Sequence, residues 1–301
     1  MKSLAEFRLY YNRVLIHELR VLEARRKRML LGLAIVVILV VLALVLIVKQ
    51  HIPALSLFFW IPLVFLYQYL VSKFTQYKKV FKPRVVNLIL KFMNETLLYD
   101  PENGISEERF MQSCIFGTDP STYASEDLIV GTIGTVDFEM SEVVARQTPR
   151  VEGAPSILFR GLFFYTEIKE TFSGRILIMP KTDRAYLIRS IKAITRTGGA
   201  QAEIDDEAFN KYYVAYADNP SDVSNLLTDN IIQDIVDYYD KYKKKIYLSF
   251  ADGGFYVAVA NDYDILEPNY WTSNISFKLV KNYFDDLTLI TNIAGDFDLK
   301  N

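Results

Sequence analysis

Residues 29–48 read MLLGLAIVVILVVLALVLIV and residues 52–71 read IPALSLFFWIPLVFLYQYLV, twenty residues each without a charge. At about 1.5 Å of rise per residue a helix of that length covers about 30 Å, the thickness of a hydrocarbon core. The two runs therefore predict transmembrane helices over 29–48 and 52–71. Only Lys49, Gln50 and His51 separate them, which leaves room for a tight antiparallel hairpin and nothing larger. Twenty-eight residues precede the first run, too many for the short basic lead of a cleaved signal peptide. Pro53 falls where a first helical turn tolerates it, whereas Pro62 is internal and predicts a kink.

The flanks of the two runs are basic. Arg25, Arg26, Lys27 and Arg28 abut the first, and Lys73, Lys78 and Lys79 follow the second, while the connection offers only Lys49. The positive-inside rule then puts both chain ends on the cytoplasmic side, with these seven cations at the membrane interface and the lipid bilayer as a partner. Residues 1–84 hold 14 Lys and Arg against 3 Asp and Glu, and residues 85–301 hold 20 against 33. The distal part is thus acidic, and nucleic acid is excluded as a partner because such a surface releases no counterions.

Residues 1–28 and 72–99 repeat apolar side chains at helical spacing: Leu4, Phe7, Tyr11, Val14 and Leu15 in one, Phe81, Val85, Leu88, Ile89 and Phe92 in the other. They read as a pair of stalk helices, with Pro83 an expected kink or break. The alternative for 1–28 is an amphipathic helix lying on the bilayer. From residue 100 to 301 the pattern is that of an α+β domain, mostly antiparallel sheet plus helices. The cluster Asp100, Pro101, Asn103 and Gly104 predicts a turn, Ser106 an N-cap, and the alternation from Asp127 a series of strands including Ile157–Ile168 and Arg175–Met179. After Thr197-Gly198-Gly199 a second α+β block is expected. Thr228 caps a helix to about Tyr242, Asp252-Gly253-Gly254 turns a hairpin, and Phe277, Val280, Phe284, Leu287 and Ile290 mark a closing helix. The fold class expected is a membrane-anchored α+β protein.

Several ordered motifs carry a resemblance: Phe159-Arg160-Gly161-Leu162-Phe163-Phe164, Phe172-Ser173-Gly174, Phe209-Asn210-Lys211-Tyr212-Tyr213-Val214, Leu227-Thr228, Ile246-Tyr247-Leu248-Ser249-Phe250 and Glu267-Pro268. With the preceding pair of apolar runs they resemble, over nearly the whole chain, the bacterial two-span family catalogued as domain of unknown function three-one-three-seven. The resemblance implies a bacterial inner-membrane protein, assigns no reaction, and suggests other envelope proteins, of the LemA type among them, as partners. Where that family tends to place proline after Leu-Thr, Asp229 stands here, and both residues suit a first helical turn.

The only two histidines, His17 and His51, lie outside the distal domain, so Ser-His-Asp and Cys-His catalysis and histidine metal sites are not expected in it. No phosphate-binding loop is present, and Gly131-Thr132-Ile133-Gly134 reads as strand and turn glycines. Asp205, Asp206 and Glu207 are weak metal candidates, better read as the acidic opening of a helix. Asn261-Asp262-Tyr263-Asp264 is an acidic loop, and Cys114 a small buried side chain. Lys243, Lys244 and Lys245 read as a helix C-terminal complement and solvated edge rather than a binding patch. Phe159, Phe163 and Phe164 read as core on both faces of a strand, or else as an aromatic binding groove. No cofactor and no catalytic residue is indicated. The expected function is binding, as a scaffold, adaptor or sensor. The alternatives are a divalent-metal hydrolase or transferase acting through carboxylates, and a homo-oligomer whose hairpins surround a pore.

Overall fold

The structure, a computed structural model, describes residues 3–50, 53–134, 136–148, 156–168, 174–262, 265 and 267–298, without the side chains of 43, 46–50, 53–61, 224–225 and 296–298. The chain divides into two compact units, Met1–Glu95 with Leu266–Lys281, and Thr96–Ile265 with Asn282–Asn301.

The first unit is helical. Helix α1 (Leu4–Tyr10) opens with a capping box: Ser3 Oγ accepts from the Glu6 amide at 3.3 Å, and the Glu6 carboxylate accepts from the Ser3 amide at 2.6 Å. A π turn (Tyr11–Leu15) leads into α2 (Ile16–Gln50), which packs with α3 (Pro53–Met93). Leu15, Leu19 and Leu22 on one side and Phe81, Val85 and Ile89 on the other are fully buried at spacings of three and four. Each such side chain contributes roughly 2 kcal/mol. That burial carries α3 through Pro83 unbroken, although the proline removes one helical hydrogen bond.

Among the described residues no helix is long and apolar enough to cross a membrane. The two transmembrane spans, the membrane-anchored fold class, the multi-pass inner-membrane localisation and the cytoplasmic placement of both ends are corrected on this finding. His51, in the expected connection, lies outside the described residues.

Helix α3 ends at Met93 rather than near Tyr99, and Leu98–Asp100 form an edge strand, β1. Among the described residues nine strands make one sheet in the second unit, every neighbouring pair antiparallel: β1, β2 (Thr122–Ile133), β3 (Val136–Gln147), β4 (Ser156–Glu167), β9 (Gly254–Ala260), β8 (Ile246–Ala251), β5 (Ile176–Pro180), β7 (Tyr213–Ala217) and β6 (Ala200–Ala202), in that spatial order. What the sequence suggests as a second block is therefore part of the same sheet. The helices are α4 (Glu107–Gln112), α5 (Ile188–Arg196), α6 (Glu207–Tyr212), α7 (Ser221–Leu226), α8 (Asp229–Tyr242) and α9 (Phe277–Asp298).

Strand β4 lies near the middle, and its successive side chains point to opposite faces. Phe163 meets Phe110 of α4 at 5.1 Å and Tyr256 at 6.1 Å, while Phe164 meets Phe138 at 5.4 Å and Phe255 at 6.3 Å. Helices cover both faces. Phe110, Leu187, Ile191 and Ile194 join the core on the Phe163 side. Tyr213 faces the other way, against Phe209 of α6 at 5.5 Å and Tyr239 of α8 at 5.9 Å. Two glycines serve close geometry. Gly161 has φ 151°, and a Cβ there would overlap the Val259 carbonyl of β9. Gly253 (φ 75°) follows Asp252 (φ 50°), the pair of left-handed residues that a two-residue hairpin turn requires.

Candidate functional site

At one end of β4, β8 and β9 the second unit opens a cleft of about 670 Å³, lined by Phe159 and Arg160 on β4, Ala260 at the end of β9 and Asn261 after it, Asp183 and Tyr186 after β5, Tyr242, Lys243, Lys244 and Lys245 at the end of α8, and Tyr247 on β8. The backbone fixes this assembly. The Asn261 amide donates to the Arg160 carbonyl at 2.8 Å, and the Ala260 amide donates to the Lys245 carbonyl at 2.8 Å. Lys243 takes the left-handed position at the end of α8, its amide donating to the Tyr239 carbonyl at 2.7 Å, and so turns the next two lysines along the cleft.

The lysines are tied down by carboxylates. Lys243 pairs with Asp240 at 2.9 Å, Lys244 with Asp286 at 2.7 Å and Lys245 with Asp183 at 2.6 Å. Tyr247 also donates to Asp183, and Tyr238 to Asp286. Burial first, then the neighbouring carboxylate, pushes the Tyr247 and Tyr238 phenols far up, so both stay protonated donors. Burial raises the Asp286 carboxyl as well, against the opposing pull of Lys244 and Tyr238. Asn261 differs from these groups. It is 5% exposed, and among the described residues neither its amide nitrogen nor its amide oxygen has a hydrogen-bond partner. A buried amide left so costs about 1–3 kcal/mol, and a polar molecule in the cleft would recover it.

This cleft lies in the part of the chain that similarity marks. Residues 157–299 match the family described as "Protein of unknown function (DUF3137)". The likeness is therefore confined to the later strands and helices, and the expected two-span portion falls outside it. No curated protein matches. A crystal structure of the mycobacterial trehalose monomycolate transport factor A, TtfA, aligns over 68% of this chain and 94% of that one, at 10% identity and a TM-score of 0.34.

The residues singled out by sequence are dispersed. Phe159, Phe163 and Phe164 are buried core, at 2%, 0% and 0% exposure, and so do not form an open aromatic groove; Phe159 alone reaches the cleft wall. Asp206 is the N-cap of α6, accepting from the Phe209 amide at 2.6 Å, with Glu207 in the first turn. Asp205 precedes them in the chain, and the three do not make a metal-ligand cluster among the described residues. Carboxylates that do converge there are Glu126, Asp127 and Glu142, with ligand oxygens within 4.8 Å of one another. A bulge after Glu126 sets Asp127 at φ 62°, Tyr99 donates to Asp127, and the Ile265 amide donates to Glu142 at 2.9 Å. Sequence reading missed this group because only the β2–β3 register places Glu126 opposite Glu142. Cys114 has φ 54° and packs, partly buried, on the core. Tyr263 and Asp264 of the acidic loop lie outside the described residues.

In the first unit Arg26 is 5% exposed and pairs with Glu23 at 2.6 Å, so it is a structural ion rather than an interface cation. Lys78 pairs with Glu267 at 3.1 Å. Lys27 and Lys79 are exposed, and Arg25, Arg28 and Lys73 line a second cleft.

Proposed function

We infer that the second unit is a ligand-binding domain, a sensor or adaptor, that takes a small polar molecule in the Asn261 cleft. The unmet donor and acceptor of the buried Asn261 side chain carry the reading. Such a pair suits a ligand edge that both accepts and donates, as a carboxamide or a nucleobase does, and the two exposed rim lysines, Lys243 and Lys245, can exchange their carboxylate partners for an anionic substituent on the same molecule. The test is the melting temperature of the full chain against mononucleotides, sugar phosphates and inorganic phosphate, for the parent and for Asn261→Leu. A ligand that binds the folded state raises the parent's midpoint, by about 2.7 kcal/mol of stability at a hundredfold excess over Kd. The reading fails if no compound shifts the parent, or if Asn261→Leu responds as the parent does.

A second reading, a divalent-metal hydrolase or transferase, is supported by the proximity of Glu126, Asp127 and Glu142. Oxygen-only ligands suit magnesium, manganese or calcium. Those ions should then raise the midpoint of the parent but not of Glu142→Gln; equal midpoints with and without each cation would retire this reading.

A further inference from the structure

We propose that the second cleft, in the helical unit, is a binding site for one anionic phosphate-headed lipid. The cleft holds about 650 Å³ and is lined by Arg25, Arg28, Met29 and Gly32 of α2 and by Tyr69, Leu70, Lys73 and Tyr77, among others, of α3. Three of these side chains are cations, and no lining residue is a carboxylate. Four other cations of the unit are paired, Arg26 with Glu23, Lys78 and Lys82 with Glu267, and Arg84 with Glu18, and what sets Arg25, Arg28 and Lys73 apart from the scattered exposed ones is that they line one cleft. Arg25, Arg28 and Lys73 have no carboxylate partner among the described residues; Lys73 lies over the Tyr69 ring at 5.1 Å. Converging positive charge without a counterion calls for an anion, and two guanidinium groups offer the forked donors that a phosphate accepts.

The surface leading away from the cleft is apolar, which selects the kind of anion. On α2, Leu31, Ile35, Ile38 and Leu42 follow Arg28 at spacings of three and four and are 62%, 50%, 65% and 54% exposed. On α3, Tyr69 and Phe65 form the corresponding row, 56% and 68% exposed. From Leu31 to Leu42 the row runs about 17 Å, the length of a fatty-acyl chain. Exposed apolar surface of this extent calls for a cover, and a free phosphate supplies none. A lipid supplies both parts, its phosphate between Arg25, Arg28 and Lys73 and its acyl chains along the two rows. Binding of a lipid to this helix pair does not require either helix to cross a bilayer.

The experiment is native mass spectrometry of the full chain in a mild detergent, with phosphatidylglycerol, phosphatidylcholine or inorganic phosphate added. The parent should hold phosphatidylglycerol in preference to phosphatidylcholine. The variant R25Q/R28Q/K73Q should lose that preference, by about five-fold per cation and roughly 100-fold for three. The variant R13Q/R20Q/K91Q, which removes three exposed charges outside the cleft, should behave as the parent. Equal retention of the two lipids by the parent, or an undiminished preference in the cleft variant, overturns the proposal. So does retention of inorganic phosphate without retention of phosphatidylglycerol, since that outcome makes the cleft a site for a free anion.

Discussion

Replacing Glu23 should release the segment 266–281 from the helical unit. Glu23 accepts from Arg26 Nε at 3.0 Å and Nη2 at 2.6 Å, and from the Asn274 amide at 3.2 Å, while Arg26 also donates to the Tyr270 carbonyl at 2.8 Å. Glu23 and Arg26 are 4% and 5% exposed. In Glu23→Leu the guanidinium stays buried without its counterion, a loss of about 3–5 kcal/mol. The Asn274 amide loses its acceptor at about 1 kcal/mol more. The double variant Glu23→Leu/Arg26→Met removes both charges and should recover most of that loss, because apolar side chains of similar size replace a buried pair at little cost. Hydrogen exchange of peptides covering 266–276 in the full chain reads the opening directly. The hydrogen bond from Arg26 holds the Glu23 carboxyl below its ordinary value near 4.5. Its stabilising contribution is therefore present above that pH and is lost as pH falls through the depressed value in the folded chain. The gap between the parent and Glu23→Gln should accordingly narrow in acid. Protection in Glu23→Leu within about 1 kcal/mol of the parent, or a double variant no better than the single, would refute the reasoning.

Gly161→Ala forces β4 and β9 apart at the Val259 carbonyl, and the melting midpoint should fall by the equivalent of more than about 3 kcal/mol; a shift of a degree or two would show that the strands yield. Asn261→Leu should raise stability by about 1 kcal/mol in urea denaturation while abolishing the ligand response, since a buried polar group left unmet gives way to an apolar one. Loss of stability in that variant would mean that the amide is already satisfied. Tyr238→Phe removes a donor from Asp286, 2% exposed, and should cost about 1.5–3 kcal/mol by the same measurement; no change would mean that Lys244 alone satisfies the carboxylate.

Local signals were readable where one residue does one job. Thr228 caps α8, its Oγ1 accepting from the Ile231 amide at 3.1 Å, Ser106 caps α4, and Asp252-Gly253 turns the β8–β9 hairpin. Long-range order was not readable, because alternation along β5, β7 and β8 vanishes when both faces of a sheet are covered. Helix α5 carries Arg189, Lys192 and Arg196 between its apolar positions, and its nine residues give too short a periodic run to mark a helix in the sequence. The cleft shows the same division. The lysine run after α8 is visible in the sequence, and its pairing with Asp240, Asp286 and Asp183 agrees with a structural edge. Nothing in the one-dimensional string brings Asn261 beside Arg160, since a strand pairing between distant segments does so. The apolar runs teach the opposite lesson. Length and lack of charge alone suggest a crossing, and among the described residues no helix is long and apolar enough for one.

The lock between Arg26 and Tyr270 joins residues 244 positions apart. A ribosome adding about 5–20 residues per second needs roughly 10–50 s to make the second after the first. Through that interval the nascent helix pair displays Phe7 and Tyr11 before their eventual neighbour Phe277 has been synthesised. A chain interrupted before position 266 would keep that gap for good, and premature termination should accordingly yield a product that chaperones retain.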